Sequence, residues 1–154
     1  MFPGRLLTAL CGMLLALVCL AACATTSPAP TAARPFARVD SILAASPLTP
    51  AETLRVTPLG NGRHASAVLI QLGPVARVPG HVHRDHDEVA HVVRGSARVR
   101  VGQEVRLVEA GAVVIIPVGT PHGAVAGLSG CAVVSTYAPL WDPADRHRDP
   151  RGDP

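Results

Sequence analysis

The stretch "GHVHRDHDEVAHVVRG", residues 80–95, holds four of the chain's seven histidines and three of its eleven carboxylates. His81 and His83 stand two apart, so on a strand both side chains leave the same face, close enough to bind one metal ion. An H-x-H pair alone is a weak sign, and polar loops also gather such residues. Glu88 follows on the far side of a polar turn, Arg84 to Asp87, where a hairpin partner strand can bring its carboxylate back beside the two imidazoles. Far downstream, His122 comes directly after Gly119-Thr120-Pro121, a turn that fixes the direction of the chain. Three imidazoles and one carboxylate, His81, His83, Glu88 and His122, form the candidate ligand set.

Other polar residues carry plainer expectations. His86 and Asp87 lie on the turn between candidate ligands and read as solvated, although Asp87 would fit a shorter gap in place of Glu88. His91 has the opposite strand parity to the site and reads as a packed or surface imidazole. His64 follows Gly60-Asn61-Gly62 and is expected to be exposed. Cys131 has no second cysteine or base apparent near it and reads as a small buried hydrophobe. Tyr137, late on a strand, is a lesser candidate for placing a hydroxyl near the pocket.

The elements that must position these residues read as strands. In "SARVRVGQEVRLVEAG", Ala97, Val99 and Val101 alternate with Ser96, Arg98 and Arg100, and Val105 and Leu107 alternate with Glu104 and Arg106. This predicts a hairpin with one apolar and one charged face, closed by Gly102-Gln103 as a two-residue turn with glycine first. Further strands are expected over Leu54–Leu59, Ala65–Leu72, Ala76–Arg84, Val89–Val93, Ala112–Ile116, Gly123–Ala126 and Ala132–Tyr137, with a short helix over Asp40–Ala45. Short strands between Gly and Pro turns predict an all-β fold, a small antiparallel β-barrel or sandwich. The expected domain spans 50–140, and the charged, proline-rich tail 141–154 is expected to be disordered.

The chain has 154 residues, 48% of them hydrophobic, which suits one domain with a real core. Its formal charge of +3 comes from fourteen arginines scattered among acidic residues. No nucleic-acid patch results, and with 3% aromatics no base-stacking platform is indicated. The N-terminus carries Arg5 and then an apolar run from Leu6 to Leu20, a secretory signal layout shorter than the roughly twenty residues needed to span a bilayer. Leu20-Ala21-Ala22-Cys23 resembles a bacterial lipobox. That resemblance implies a signal peptide at 1–22 and acylation of Cys23. Residues 23–49 then follow as a Pro-, Ala- and Thr-rich tether, and the protein is an exported lipoprotein at the envelope, on the outer membrane facing the periplasm. Cys11 and Cys19 would leave with the signal, so no intrachain disulfide is expected.

The histidine stretch also resembles the cupin superfamily. The first cupin motif runs H-x-H, three or four residues, E, six residues, G, and is matched by His81, His83, Glu88 and Gly95. Its leading glycine is replaced by Val75. The second motif is matched by Gly111, Pro117, Gly119 and His122, with Ala126 where the family has asparagine. The resemblance covers Gly80 to Ala126 and implies a jelly-roll barrel, or double-stranded β-helix, holding a divalent transition metal in its interior. The metal, Fe, Mn, Ni, Zn or Cu, would be bound by His81, His83, Glu88 and His122, with open coordination positions left for a small-molecule ligand or substrate. It further implies a dioxygenase-like enzyme, an isomerase or a lyase, in which Glu88 could also act as the catalytic proton acceptor. The competing class is a non-catalytic envelope module that binds or senses a metal or small ligand. A homodimer is compatible with either.

Overall fold

The computed structural model describes residues 36–152. The expected leader, Cys23 and the tether as far as residue 35 lie outside the described residues. The elements in chain order are α1 (Val39–Ala45), β1 (Leu54–Asn61), β2 (Ser66–Leu72), β3 (Arg77–Val82), β4 (Asp87–Val101), β5 (Glu104–Glu109), β6 (Val113–Ile116), β7 (His122–Ala138) and β8 (His147–Arg148). Strand pairing is antiparallel throughout, as alternating short apolar runs between turns predict.

Two long strands organise the rest. β4 and β7 pair with each other from Asp87 opposite Ala138 to Val101 opposite His122. The sequence pattern predicts each as two separate strands, because the glycines inside them read as turns. They are bulges instead: the register shifts at Val92/Arg94 and Gly95/Ala97, where Gly95 has φ 72°. A Cβ on Gly95 would collide with the carbonyl oxygen of Gly130, so only glycine lets the two strands approach there.

Through these bulges β4 and β7 pass from one half of the sheet to the other. In the first half, β1 and β2 lie along the C-terminal part of β7, whose other edge takes the N-terminal part of β4 and then β6. In the second, β8 and β3 lie along the N-terminal part of β7, followed by the C-terminal part of β4 and then β5. The result is the jelly-roll barrel expected from the sequence.

Leu72, Ala76, Val92, Ala97, Ala126 and Cys131 form the buried interior cluster. On the outside, α1 lays Leu43 against Leu69 and Ala132, with Val93 and Val134 beside them. With seven residues and no side-chain cap, α1 is held by this packing rather than by helix propensity.

Two further expectations fail. A two-residue turn does close β4 to β5, with φ 61° at Gly102, but its register sets Arg98 opposite Leu107 and Val99 opposite Arg106. Directly paired residues share a face, so the apolar residues of β5 lie with the arginines of β4, and Val105 and Leu107 are exposed. Reading each arm separately misses this parity. The tail also differs, because residues 141–152 are folded. β8 pairs with β3, and Asp145 and Asp149 are buried. Asp145 accepts hydrogen bonds from the amides of Arg84 at 2.8 Å and Asp85 at 2.9 Å, while Asp149 takes Arg100 at 2.8 Å. Composition could not show these partners, which lie 49 to 61 residues away in the chain.

Candidate metal centre

The strand arrangement gathers the four predicted ligands. His81, next to last in β3, lies opposite His122, the first residue of β7. His83 follows two residues later, just past the end of β3, and Glu88 is the second residue of β4. One ligand atom from each of His81, His83 and His122 lies within 4.8 Å of the others. Glu88 Oε2 lies 3.6 Å from His83 Nε2 and 3.4 Å from His122 Nε2. All four side chains are buried.

Backbone carbonyls decide how the rings are presented. The Nδ1 of His81 donates to Pro79 O at 2.9 Å, that of His122 to Thr120 O at 2.8 Å, and that of His83 to Asp145 O. A neutral imidazole with its proton on Nδ1 keeps its lone pair on Nε2. Three such nitrogens then converge around a carboxylate. His122 Nε2 is buried without a hydrogen-bond partner and faces Glu88 Oε2 across 3.4 Å. Two acceptors that close need a cation between them or a proton on the ring. The donor set therefore fits a divalent transition metal ion.

The electrostatics follow from the same contacts. Burial raises the Glu88 carboxyl, but the imidazoles of His122 and His83 facing Oε2 and the hydroxyl of Ser135 outweigh it and hold the group well below the usual carboxylate range. Ser135 supplies its bond to Glu88 Oε1 at 2.6 Å. Burial pushes His81 down to about 3, with the charges of His122 and Arg146 adding to the effect. Burial also lowers His83, yet its bonds to Glu88 and to the Asp145 carbonyl leave it raised. Burial and the Glu88 charge push the Tyr137 hydroxyl far above its ordinary range.

These groups open on a cavity of about 150 Å³ between the two sheet halves. Its walls are largely aliphatic, with Val56, Ile70, Val92, Val99 and Val133 among them. Tyr137 is placed in it, as its strand position allowed, with its ring edge-on to His83 at 5.7 Å. Trp141 and Arg146 also line it, both from the tail.

His86 differs from expectation, being 2% exposed rather than solvated. Its Nδ1 lies 3.2 Å from Asp145 Oδ2, and burial lowers it, which keeps the ring neutral. His83, His86 and Asp145 form a second group with metal-ligand chemistry. There, however, the Asp145 carboxylate is already committed to two backbone amides, so the group reads as a support for the first. Asp87 is exposed and caps the turn at Val118 N, 2.7 Å away. His64 and His91 are exposed, and Cys131 is buried, its thiol pushed up to about 11 by that burial.

Sequence reasoning missed Ser135, Asp145 and Arg146. Ser135 shares strand parity with Val133 and Tyr137, which could have found it. No local signal pointed to the two tail residues.

Residues 68–134 match the cupin domain family. Among solved structures, KdgF from Halomonas sp. is 25% identical with a TM-score of 0.58, over 64% of this chain and 91% of that one. TT1209 from Thermus thermophilus is 25% identical with a TM-score of 0.61, over 69% and 98%. An RmlC-like cupin from Shewanella frigidimarina is 26% identical with a TM-score of 0.51, over 61% and 91%. No curated protein matches the chain in sequence. The domain match and the shared fold support the cupin superfamily.

Proposed function

We propose that this domain holds a divalent transition metal ion through His81, His83, Glu88 and His122 and acts on a small molecule that coordinates it, as a dioxygenase, isomerase or lyase. The observation that carries this reading is the set of three Nδ1-to-carbonyl bonds, which in the neutral rings turns three Nε2 lone pairs towards the Glu88 carboxylate. When bound, the ion supplies Lewis acidity and open positions for substrate or oxygen.

The chain's own residues supply the remainder. Glu88 stays ionised and is the one carboxylate lining the cavity among the described residues, which makes it the candidate proton acceptor. Tyr137 stays protonated and so offers a hydrogen-bond donor to a substrate oxygen. The aliphatic walls exclude water and strengthen both interactions. At the N-terminus, acylation of Cys23 would tether the domain to the envelope membrane, and nucleic acid has no part in this reading.

The test is metal analysis of the full chain purified from its native compartment, beside His81→Ala with His122→Ala. We expect about one equivalent of a transition metal in the parent and little in the double variant. Less than about one tenth of an equivalent in the parent overturns the metal reading, since three imidazoles and a carboxylate bind such ions tightly. Oxygen uptake or turnover with enolic and phenolic compounds separates the enzyme from the non-catalytic binding module, which would hold metal and turn nothing over. Mass analysis of the N-terminus reads the acyl group on Cys23 directly.

A further inference from the structure

The tail brings an arginine to the cavity. Arg146 lines the cavity beside His81 and also lines a second groove outside it, together with Pro79, Gly80, Arg148 and Asp149. Its guanidinium makes one long hydrogen bond, 3.5 Å to Pro79 O. Among the described residues, neither Arg146 nor Arg148 forms an ion pair. The nearby acids are already engaged elsewhere: Asp149 with Arg100 and Arg151, Asp145 with His86, His147 and two amides. A cation left unpaired at the mouth of an apolar cavity, next to a centre that would hold a further positive charge, is poised for an anion.

We propose that Arg146, backed by Arg148, is the subsite for a carboxylate carried by the molecule that coordinates the metal. The substrate class is then a short hydroxy or oxo acid with a carboxylate beyond its chelating oxygens. This rests on the metal reading above. Guanidinium suits the role because its planar fork can take both oxygens of a carboxylate. Size agrees as well: the cavity is about 150 Å³, and an apolar space of about that volume holds a molecule the size of benzene. A short acid would place its chelating end among the histidines and its second carboxylate at the mouth.

The experiment loads the full chain with Co(II), measures uptake, and then follows the Co(II) absorption bands during titration with malate or with 2-hydroxybutyrate. The two share one chelating group and differ in the second carboxylate. We expect malate to bind about tenfold more tightly than 2-hydroxybutyrate, the size of one charge-assisted contact. Arg146→Gln should reduce that preference to about twofold or less and leave 2-hydroxybutyrate binding nearly unchanged, with Arg146→Lys intermediate. Equal binding of the two acids by the parent overturns the proposal, as does a preference that survives Arg146→Gln. Co(II) uptake with no carboxylate preference leaves the metal reading standing. Failure to take up Co(II) overturns both.

Discussion

Three backbone carbonyls determine what the histidines can do. With Nδ1 of His81, His83 and His122 each tied to a carbonyl oxygen, the rings cannot swap tautomers without losing that hydrogen bond. Glu88 is oriented in the same way by Ser135, which is fully buried and bonds Oε1 while Oε2 faces the imidazoles. Ser135→Ala removes that bond without removing any ligand. We expect metal affinity to fall about 10- to 100-fold, the usual effect of losing such a supporting contact. Competition against a chelator of known affinity reads it, and an unchanged affinity would mean that Glu88 is held by the histidines alone. His81 and His83 were legible from parity, because strand geometry puts residues two apart on a shared face, whereas Glu88 and His122 joined them through the resemblance to the cupin motifs. His86 departs from its sequence reading since a turn residue can be buried by a distant segment, here the one carrying Asp145.

At the scale of elements, the departures from the cupin motif have local physical meaning. Val75, where the motif has glycine, is the third residue of the turn Gly73-Pro74-Val75-Ala76, closed by a 3.1 Å bond from Ala76 N to Gly73 O. It is 58% exposed and adopts φ 52°, a backbone conformation unfavourable for a β-branched residue. Proline second and positive φ third is the pattern that takes glycine. Val75→Gly should therefore stabilise the domain by about 1 kcal/mol, the relief of strain exceeding the added freedom of the unfolded chain. Chemical denaturation measures this, and a loss of stability would show that the valine contributes packing after all. Ala126, in place of asparagine, is buried in the interior cluster, where an apolar side chain suits its surroundings. The β4–β5 hairpin shows the complementary case. Its turn and strands were legible, but which residues share a face depends on adding the positions of paired residues, and that sum places Leu107 outside with Arg98.

Across the whole molecule, the tail acts as a strap from the end of β7 to β3 and β4. It is fastened by Asp145 and Asp149, and it delivers the carbonyl that orients His83 as well as Trp141 and Arg146 to the cavity. For Asp149, burial raises the carboxyl, but bonds from Arg151 and Arg100 outweigh it and lower it from 3.8 to about 2. The fold thus favours the ionised form: this contribution is fully present above 3.8 and is lost as pH falls through about 2. Asp149→Asn should be less stable than the parent at neutral pH and lose less stability across that acid interval. Urea midpoints measured over the interval check the sign, and parallel curves for the two proteins would remove Asp149 from the linkage.

Sequence by itself determined the antiparallel β class, most of the strand positions and the shared face of His81 and His83, and its resemblance to the cupin motifs added Glu88 and His122. The strands and the His81–His83 pair rest on periodicity and short spacings, which local backbone geometry converts directly into faces and turns. Only the tertiary structure decided that the tail folds, that β4 and β7 run through their glycines as single strands, and that Ser135, Asp145 and Arg146 surround the site. Each depends on contacts between residues far apart in the chain, such as Asp145 with Arg84 or Gly95 with Gly130, and nothing local encodes such a contact before the barrel closes.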